Sequence, residues 1–322
     1  MRNKRAAVWA LAASALLTTS FSARDAAAFC RTTTENCSGA CCTAGKPLYW
    51  KNVCVGYSLQ KDGTKQIPFN TVQTIVRNAF DKWTNVDCGA GKKVTLDFRQ
   101  LDNAACSEVR YNQKAANQNL IVFRDADWDH TDSSSTLGLT TVVYNPESGE
   151  IFDADMEINT AQQVLSVANP VPPGGYDFDS IVTHEVGHFL GLAHSSNADA
   201  TMTPKYNAGT QDMRDLAPDD IAGVCSIYLS ADGQPGAQYG RRATSEGRAV
   251  GADACDPTPR HGFSVQCNEA SGDKGGGCSI GATRSDLEAS STSGASTTGL
   301  FAALGMVLTA GFVRRRNVLR RK

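Results

Sequence analysis

Apolar and polar positions between residues 65 and 230 follow two periods, one typical of helices and one typical of strands. A stretch with helical spacing runs from Val72 to Trp83. Four segments with the alternation or apolar content of strands follow it. They are residues 94–98, 119–123, 137–144 and 151–158, and a turn at 145–149 separates the last two. Because a second helical stretch comes next, around residues 184–192, the order predicts an α+β fold in which a twisted sheet is backed by two long helices.

The second helical stretch carries three of the five histidines of the chain. His184 and His188 are four residues apart, so on a helix they lie on one face and can both reach one metal ion. A ligand ten residues along an unbroken helix would lie about 15 Å away, so the helix must end before His194. Gly191 can end it, because glycine adopts a positive φ without penalty. Three protein ligands leave the fourth position of a zinc ion to water, and Glu185, directly after the first histidine, is placed to act as general base.

The alternative is a helix that carries these histidines by chance, which the length of the pattern HExxHxxGxxH disfavours. The run that begins at His184 resembles the zinc helix of the metzincin endopeptidases, and most closely that of their matrixin branch. Residues 201–206 resemble the family's Met-turn, and residues 216–228 resemble its closing helix. Residues 67–83 resemble the opening helix. The resemblance therefore covers about residues 65–230.

The resemblance implies a metzincin-like catalytic domain over residues 65–230. Its fold would be a twisted, mostly parallel sheet with two long helices, and the zinc helix would be followed by the Met-turn and the closing helix. One catalytic zinc would be held by the three histidines, with Met202 beneath the metal. Glu185 would accept a proton from the zinc-activated water as this water attacks a peptide carbonyl.

The resemblance also implies a cleft for a polypeptide substrate. Pro204 and Tyr206 would form the outer wall of the pocket that receives the side chain after the scissile bond. Gly138 and Leu139 would line the cleft from an edge strand at residues 137–140, to which an extended peptide could add by backbone hydrogen bonds. We therefore expect a monomeric zinc endopeptidase. The alternatives are an edge strand that merely faces solvent, a non-catalytic adhesion module, and an exopeptidase whose cleft is closed at one end.

Residues 1–28 have the features of a signal peptide. Basic residues precede a short apolar stretch, and small residues precede a cut that we predict between Ala28 and Phe29. An uncleaved N-terminal anchor is the alternative. We therefore expect an exported protein, located at the cell surface or outside the cell.

The C-terminal region is predicted to be a flexible linker at residues 231–277, rich in small and polar residues, and a tail at residues 278–322. An apolar segment at 297–313 is followed by arginine clusters. The tail resembles the C-terminal sorting tails of myxobacterial surface proteins, which implies membrane contact before processing and a processing site at Cys278. A plain single-span anchor is the alternative.

Export into an oxidising compartment favours disulfides among the eleven cysteines. Five of them lie between residues 30 and 54, which predicts a small disulfide-stapled segment at residues 29–64 ahead of the catalytic domain. The spacing of the other cysteines makes two pairs plausible and leaves the full connectivity open. These pairs are Cys88 with Cys106 and Cys255 with Cys267.

Charge excludes one class of partner and suggests one further ligand. The net charge of −2 includes +3 from residues 1–28 and +6 from residues 314–322, which leaves −11 on the residues between them. Nucleic acid is therefore not expected as a partner. Carboxylate clusters would suit calcium, although solvated acidic loops are the alternative that we favour. The clusters are Asp153, Asp155 and Glu157, and the acidic run at 125–129.

Overall fold

A computed structural model of the protein describes residues 28–35, 41–130, 134–228, 255–266 and 302–310. In chain order the elements are β1 (Cys30–Arg31), β2 (Cys54–Leu59), α1 (Phe69–Thr84), β3 (Asp97–Gln100), β4 (Leu120–Phe123), β5 (Thr136–Tyr144), β6 (Ile151–Ile158), β7 (Leu165–Ser166), β8 (Tyr176–Asp177), α2 (Phe178–Phe189), β9 (Leu192–Ala193), β10 (Lys205–Tyr206), α3 (Pro218–Tyr228) and β11 (Ala302–Ala310). Within the part of the chain that is described, no helix is long and apolar enough to cross a membrane.

The central sheet has the strand order β10-β11-β5-β6-β4-β2-β3. The neighbours β6, β4, β2 and β3 are parallel to one another, whereas β5 is antiparallel to β6. All residues of β4 and β6 are buried, as expected for strands that are covered on both faces. The predicted α+β fold with a mostly parallel sheet is thus confirmed.

The two long helices contact each other and contribute to the main hydrophobic core. The apolar face of α1 has helical spacing and consists of Val72, Val76, Ala79, Phe80 and Trp83. The indole Nε1 of Trp83 donates to the backbone oxygen of Thr183 on α2 at 2.8 Å, so it satisfies the one polar atom of a buried ring. The core fixes α2 to α1 and to the sheet.

The sequence positions both ends of α2. Asp177 caps its first turn, because its side chain accepts from the backbone nitrogen of Ser180. At the other end Gly191 has φ +92°, and a Cβ there would lie 2.8 Å from the backbone oxygen of Leu48. Only glycine meets both conditions without strain, so the helix end predicted there is confirmed.

Two predictions about the sheet were incomplete. The first strand was placed at residues 94–98, but β3 begins at Asp97; Val94 and Leu96 contribute buried side chains to the core instead. The domain boundary at residue 65 cuts through the sheet, because β2 is fully buried between β3 and β4. A strand buried on both faces lacks the alternation that would have identified it.

The disulfides differ from the two pairs that spacing suggested. Among the described residues, bonds join Cys30 to Cys41, Cys54 to Cys255, and Cys88 to Cys225. The predicted pairs Cys88–Cys106 and Cys255–Cys267 are therefore wrong. Two of the observed bonds close loops with sequence separations of 137 and 201 residues, and proximity along the chain gives no information about such pairs.

Part of the predicted linker is held against the domain. Residues 255–266 are tied to β2 by the disulfide at Cys255, and Ala105 donates to the backbone oxygen of Val265 at 2.7 Å. The side chain of Asn117 donates to the backbone oxygen of Arg260 at 2.7 Å. The flexible linker predicted at 231–277 is therefore interrupted by this ordered strap.

The strand that was predicted to form the sheet edge above the cleft has a neighbour on each side. β5 pairs with β6 on one side and antiparallel with β11 on the other, and β11 is parallel to β10. β11 comes from the apolar segment predicted at 297–313, for which contact with the membrane was the expectation. Among strands of residues 41–228, β5 is still the edge, and β11 adds to it.

Candidate active site

The three predicted metal ligands converge on one point. Nε2 of His184 lies 3.1 Å from Nε2 of His188, which lies 3.2 Å from Nε2 of His194. His184 and His188 are fully buried on α2, and the turn at Gly191 returns the chain so that the third histidine reaches them. Three imidazole nitrogens bound tetrahedrally to one zinc would be about 3.3 Å apart. The donor set therefore fits a zinc ion.

The opposite ring nitrogens fix the tautomers of two ligands. Nδ1 of His184 donates to the backbone oxygen of Thr201 at 2.6 Å, and Nδ1 of His188 donates to that of Leu192 at 2.9 Å. Each Nε2 is then left unprotonated with its lone pair toward the shared point. The lone pairs of these Nε2 atoms point at one another with no proton between them, and a bound cation would satisfy them.

Burial keeps these imidazoles neutral. Desolvation, together with the neighbouring His194, lowers the pKa of His188 to about 3. Desolvation alone lowers the pKa of His194 to about 4. The pKa of His184 falls well below its usual value because of desolvation and the two other rings. Neutral imidazole is the form that binds metal.

The predicted general base is held by one of its two oxygens. Oε2 of Glu185 accepts a hydrogen bond from the hydroxyl of Thr140 on β5 at 2.6 Å. Within the described residues no group donates to Oε1, which lies where a Cβ at Gly138 would approach it to 2.7 Å. Desolvation raises the pKa of this carboxyl to about 8, and the hydrogen bond from Thr140 opposes the rise. Gly138 thus lies beside Glu185, and the cleft-lining role of Gly138 and Leu139 stays a prediction.

The turn around Met202 packs beneath the helix. Met202 is buried, and a Cβ at Gly187 would overlap its sulfur. Asp220 on α3 fixes this turn, because its carboxylate accepts from the backbone nitrogens of Thr201 at 2.7 Å and Met202 at 3.0 Å. Since Thr201 also accepts from His184, one carboxylate on α3 orients a metal ligand through the turn.

The predicted pocket wall lies next to the beginning of α2. Tyr206 is 1% exposed, and its ring centroid is 6.1 Å from that of Tyr176. Its hydroxyl donates to the backbone oxygen of Thr210 at 2.5 Å. Pro204 is half-buried beside it. Cys278, the remaining predicted site residue, lies outside the described residues.

Comparison with known proteins agrees with this geometry. Residues 49–229 of the chain match the family described as Matrixin. The chain belongs to the matrixin family. The match includes β2, which the predicted boundary at residue 65 left out.

Individual relatives of this matrixin come from plants and animals. Metalloendoproteinase 1-MMP of Arabidopsis thaliana is 28% identical over 190 residues, which are 57% of this chain and 45% of the relative. Metalloendoproteinase 5-MMP of the same plant is 39% identical over 190 residues, 57% of this chain and 46% of the relative. Human matrix metalloproteinase-15 is 28% identical over 193 residues, 58% of this chain and 26% of the relative. The chain spans less than half the length of these relatives.

Two residues at the site of this matrixin escaped sequence reasoning. Thr140 belongs to a strand predicted from its alternation, and nothing local shows that its hydroxyl meets a glutamate 45 residues away. Asp220 had a visible signal, because the pair Asp219-Asp220 begins an otherwise apolar helix. A buried carboxylate at a helix start can hold backbone nitrogens, and here it holds those of another segment.

Three of the carboxylates considered for calcium have protein partners in this matrixin. Glu157 binds Arg124 and His130, Asp155 accepts from the backbone nitrogen of Leu120 at 2.7 Å, and Asp125 accepts from Thr64. Among the described residues, two groups of three could hold a metal, the histidines and a group of Cys54, Asp97 and Cys255. The cysteines of the second group form a disulfide and offer no thiolate.

Proposed function

We propose that this matrixin is an exported zinc-dependent endopeptidase that hydrolyses peptide bonds within polypeptides. The observation that carries the proposal is the joint position of three converging, neutral imidazoles and a buried glutamate oxygen without a donor. A closed structural site would have a fourth protein ligand, whereas the described residues offer three. A non-catalytic adhesion module would not require a buried Glu185 with no donor to Oε1 among the described residues.

The mechanism assigns distinct work to the residues of the site. A bound zinc ion would supply a Lewis acid that polarises the scissile carbonyl and acidifies water. Glu185 accepts the proton of the attacking water at Oε1, because Thr140 occupies Oε2 and fixes the orientation of the carboxylate. Glu185 then returns this proton to the leaving amine. His184 and His188 are held by backbone oxygens, so they need no reorganisation during the reaction.

The cleft is suited to an extended peptide. One strand position lies between β5 and β10. Residues 302–310 of the same chain occupy this position and pair through their backbone with both strands. The three β11 residues opposite Gly138, Leu139 and Thr140 run past the strand segment that contacts Glu185. A strand-sized space bounded by backbone on both sides supports recognition of polypeptide main chain.

The test is incubation of the purified protein with a denatured protein substrate. The chain is used both complete from residue 29 and truncated after residue 298, because β11 lies in the proposed cleft. We expect internal cleavage that a chelator abolishes and added zinc restores. Trimming from one terminus would indicate an exopeptidase, and no cleavage by either form would indicate a binding module.

We further propose that residues 1–28 are removed on export and that Cys278 is a processing or attachment site in the C-terminal tail. Disulfides between distant cysteines support folding in an oxidising compartment. Mass spectrometry of the mature protein tests both points. We expect a chain that begins at Phe29 and a change of C-terminal mass or location in Cys278→Ala. An unmodified chain that ends at Lys322 and is located identically in the variant would support a plain anchor.

A further inference from the structure

An arginine joins residues 204–214, called the wall segment below, to the beginning of α2. Arg214 donates from Nε to Oδ2 of Asp177 at 2.7 Å and from Nη2 to Oδ1 at 2.6 Å. This is the bidentate geometry in which a guanidinium holds a carboxylate in a fixed orientation. Asp177 is fully buried, and the same Oδ2 accepts from the backbone nitrogen and hydroxyl of Ser180, both at 2.9 Å. One carboxylate thus caps α2 and binds the wall segment.

A lysine extends this connection to α1. Nζ of Lys82 donates to Oδ1 of Asp179 at 2.8 Å and to the backbone oxygen of Arg214 at 2.7 Å. Arg214 is therefore held through its side chain by α2 and through its backbone by α1. The side chains of Arg214, Lys82 and Asp179 are about one quarter exposed. Two cations and two carboxylates form a cluster where both helices meet the wall segment.

The wall segment has uncharged contacts with the same region. Gly209 donates to the backbone oxygen of Gly175 at 2.8 Å, and the ring of Tyr206 packs near that of Tyr176. Asp177, the residue after Tyr176, accepts the two hydrogen bonds from Arg214. The wall segment therefore runs alongside the residues that lead into α2. The bidentate pair of Arg214 and Asp177 is the charged and directional contact among these.

We propose that Arg214 is a positioning residue that sets the width of the pocket for the side chain after the scissile bond. It does so by fixing Pro204 and Tyr206 relative to α2, which carries Glu185 and two histidines. The proposal rests on the proposed endopeptidase function. A hydrophobic pocket discriminates between substrates that differ by one methylene by about 10- to 200-fold. A small displacement of one pocket wall is therefore enough to change selectivity.

The test is Arg214→Lys, which keeps the positive charge and removes the planar bidentate fork. Two peptides that differ only in having Leu or Phe after the scissile bond are compared as substrates of the chain from residue 29, both complete and truncated after residue 298. We expect the ratio of their kcat/KM values to change by about tenfold, mainly through KM, because the pocket is altered and the base is not. Zinc content should remain that of the wild type.

The matched control is Arg124→Lys, which alters a second arginine that binds a buried carboxylate, Glu157, on the other side of the sheet. It should leave the ratio unchanged. If Arg214→Lys does not fold, the double variant Arg214→Gln with Asp177→Asn removes both charges and retains a capping side chain, so no buried charge is left unpaired. An unchanged ratio in a folded, zinc-loaded variant that cleaves both peptides would overturn the proposal. A wild type that cleaves neither peptide, whether complete or truncated after residue 298, would instead reject the proposed function.

Discussion

Two buried glutamates differ in how completely the surrounding residues satisfy their carboxylates. Glu157 on β6 is 3% exposed, and each of its oxygens has a partner. Oε1 accepts from Nε of Arg124 at 2.6 Å, and Oε2 lies 2.9 Å from Nε2 of His130. Glu185 on α2 is 0% exposed and has a neutral hydroxyl on one oxygen, with no donor on the other among the described residues.

The difference teaches where the fold tolerates an unsatisfied group. A buried carboxylate without a cation costs free energy of folding, and such groups are concentrated at functional sites. Glu185 lies directly next to a metal ligand, and Glu157 lies on the sheet face opposite to the helices. The following predictions alter one side of this comparison at a time.

The largest effect is expected at the metal ligands. His188→Ala removes one of three donors, so zinc affinity should fall by more than about 100-fold, which is the upper loss for a residue that only supports a ligand. Peptidase activity should disappear with the metal. Zinc content after dialysis and cleavage of denatured protein are the measurements. His130→Ala is the control, since this histidine lies outside the site, and equal zinc retention in the two variants would contradict the assignment.

A smaller effect is expected when the paired glutamate loses its charge. Glu157→Gln leaves Arg124 without its carboxylate, and the free energy of unfolding should fall by about 1–3 kcal/mol, below the full cost for a buried pair because Arg124 is partly exposed. Zinc content and kcat should stay close to wild type. Denaturant unfolding measures the loss, with Glu147→Gln in an exposed turn as control. A stable but inactive Glu157→Gln would show that the two glutamates are not separated as described.

The pair Asp153 and Asp155 should make stability depend on pH. Desolvation raises the pKa of Asp155 to about 7, and desolvation together with the charge of Asp155 raises that of Asp153 well above its usual value. This pair then binds more protons in the folded protein than in the unfolded chain between about pH 4 and pH 7, so its contribution to stability falls as pH rises through this range.

Asp153→Asn removes one of these titrating groups. The slope of unfolding free energy against pH should become more positive by as much as about 1.4 kcal/mol per pH unit. Denaturant unfolding at pH 5, 6 and 7 measures it, with Asp127→Asn on the surface as the control. A slope equal to that of the wild type would mean that the buried pair does not exchange protons in this range.

The sequence reveals much of the site because its chemistry is local. The three histidines, Glu185 and Gly191 lie within eleven residues, and helical geometry alone predicts that they share one face and that the helix must end. The contacts that hold them are not local. Asp220 acts through the backbone of the turn at Met202, and Arg214 binds a carboxylate 37 residues away.

The same distinction explains the errors in the fold. Periodicity or a short apolar run predicts α1, β4, β5 and β6, because the residues of each element carry that pattern themselves. It does not predict that Cys54 bonds Cys255 across 201 residues, or that residues 255–266 cover the domain. Pairing between distant segments depends on the finished fold, whereas β2 was missed because a strand buried on both faces has no alternation.

The central claim is that Glu185 transfers protons at a zinc site that other residues build. Glu185→Gln keeps the size of the side chain and its hydrogen bond with Thr140 but cannot accept a proton. The decisive measurement is zinc stoichiometry and turnover of a peptide in the same preparation of the chain truncated after residue 298. The account predicts wild-type zinc content with turnover reduced by about 100-fold or more. Near-normal turnover at full zinc occupancy would contradict it.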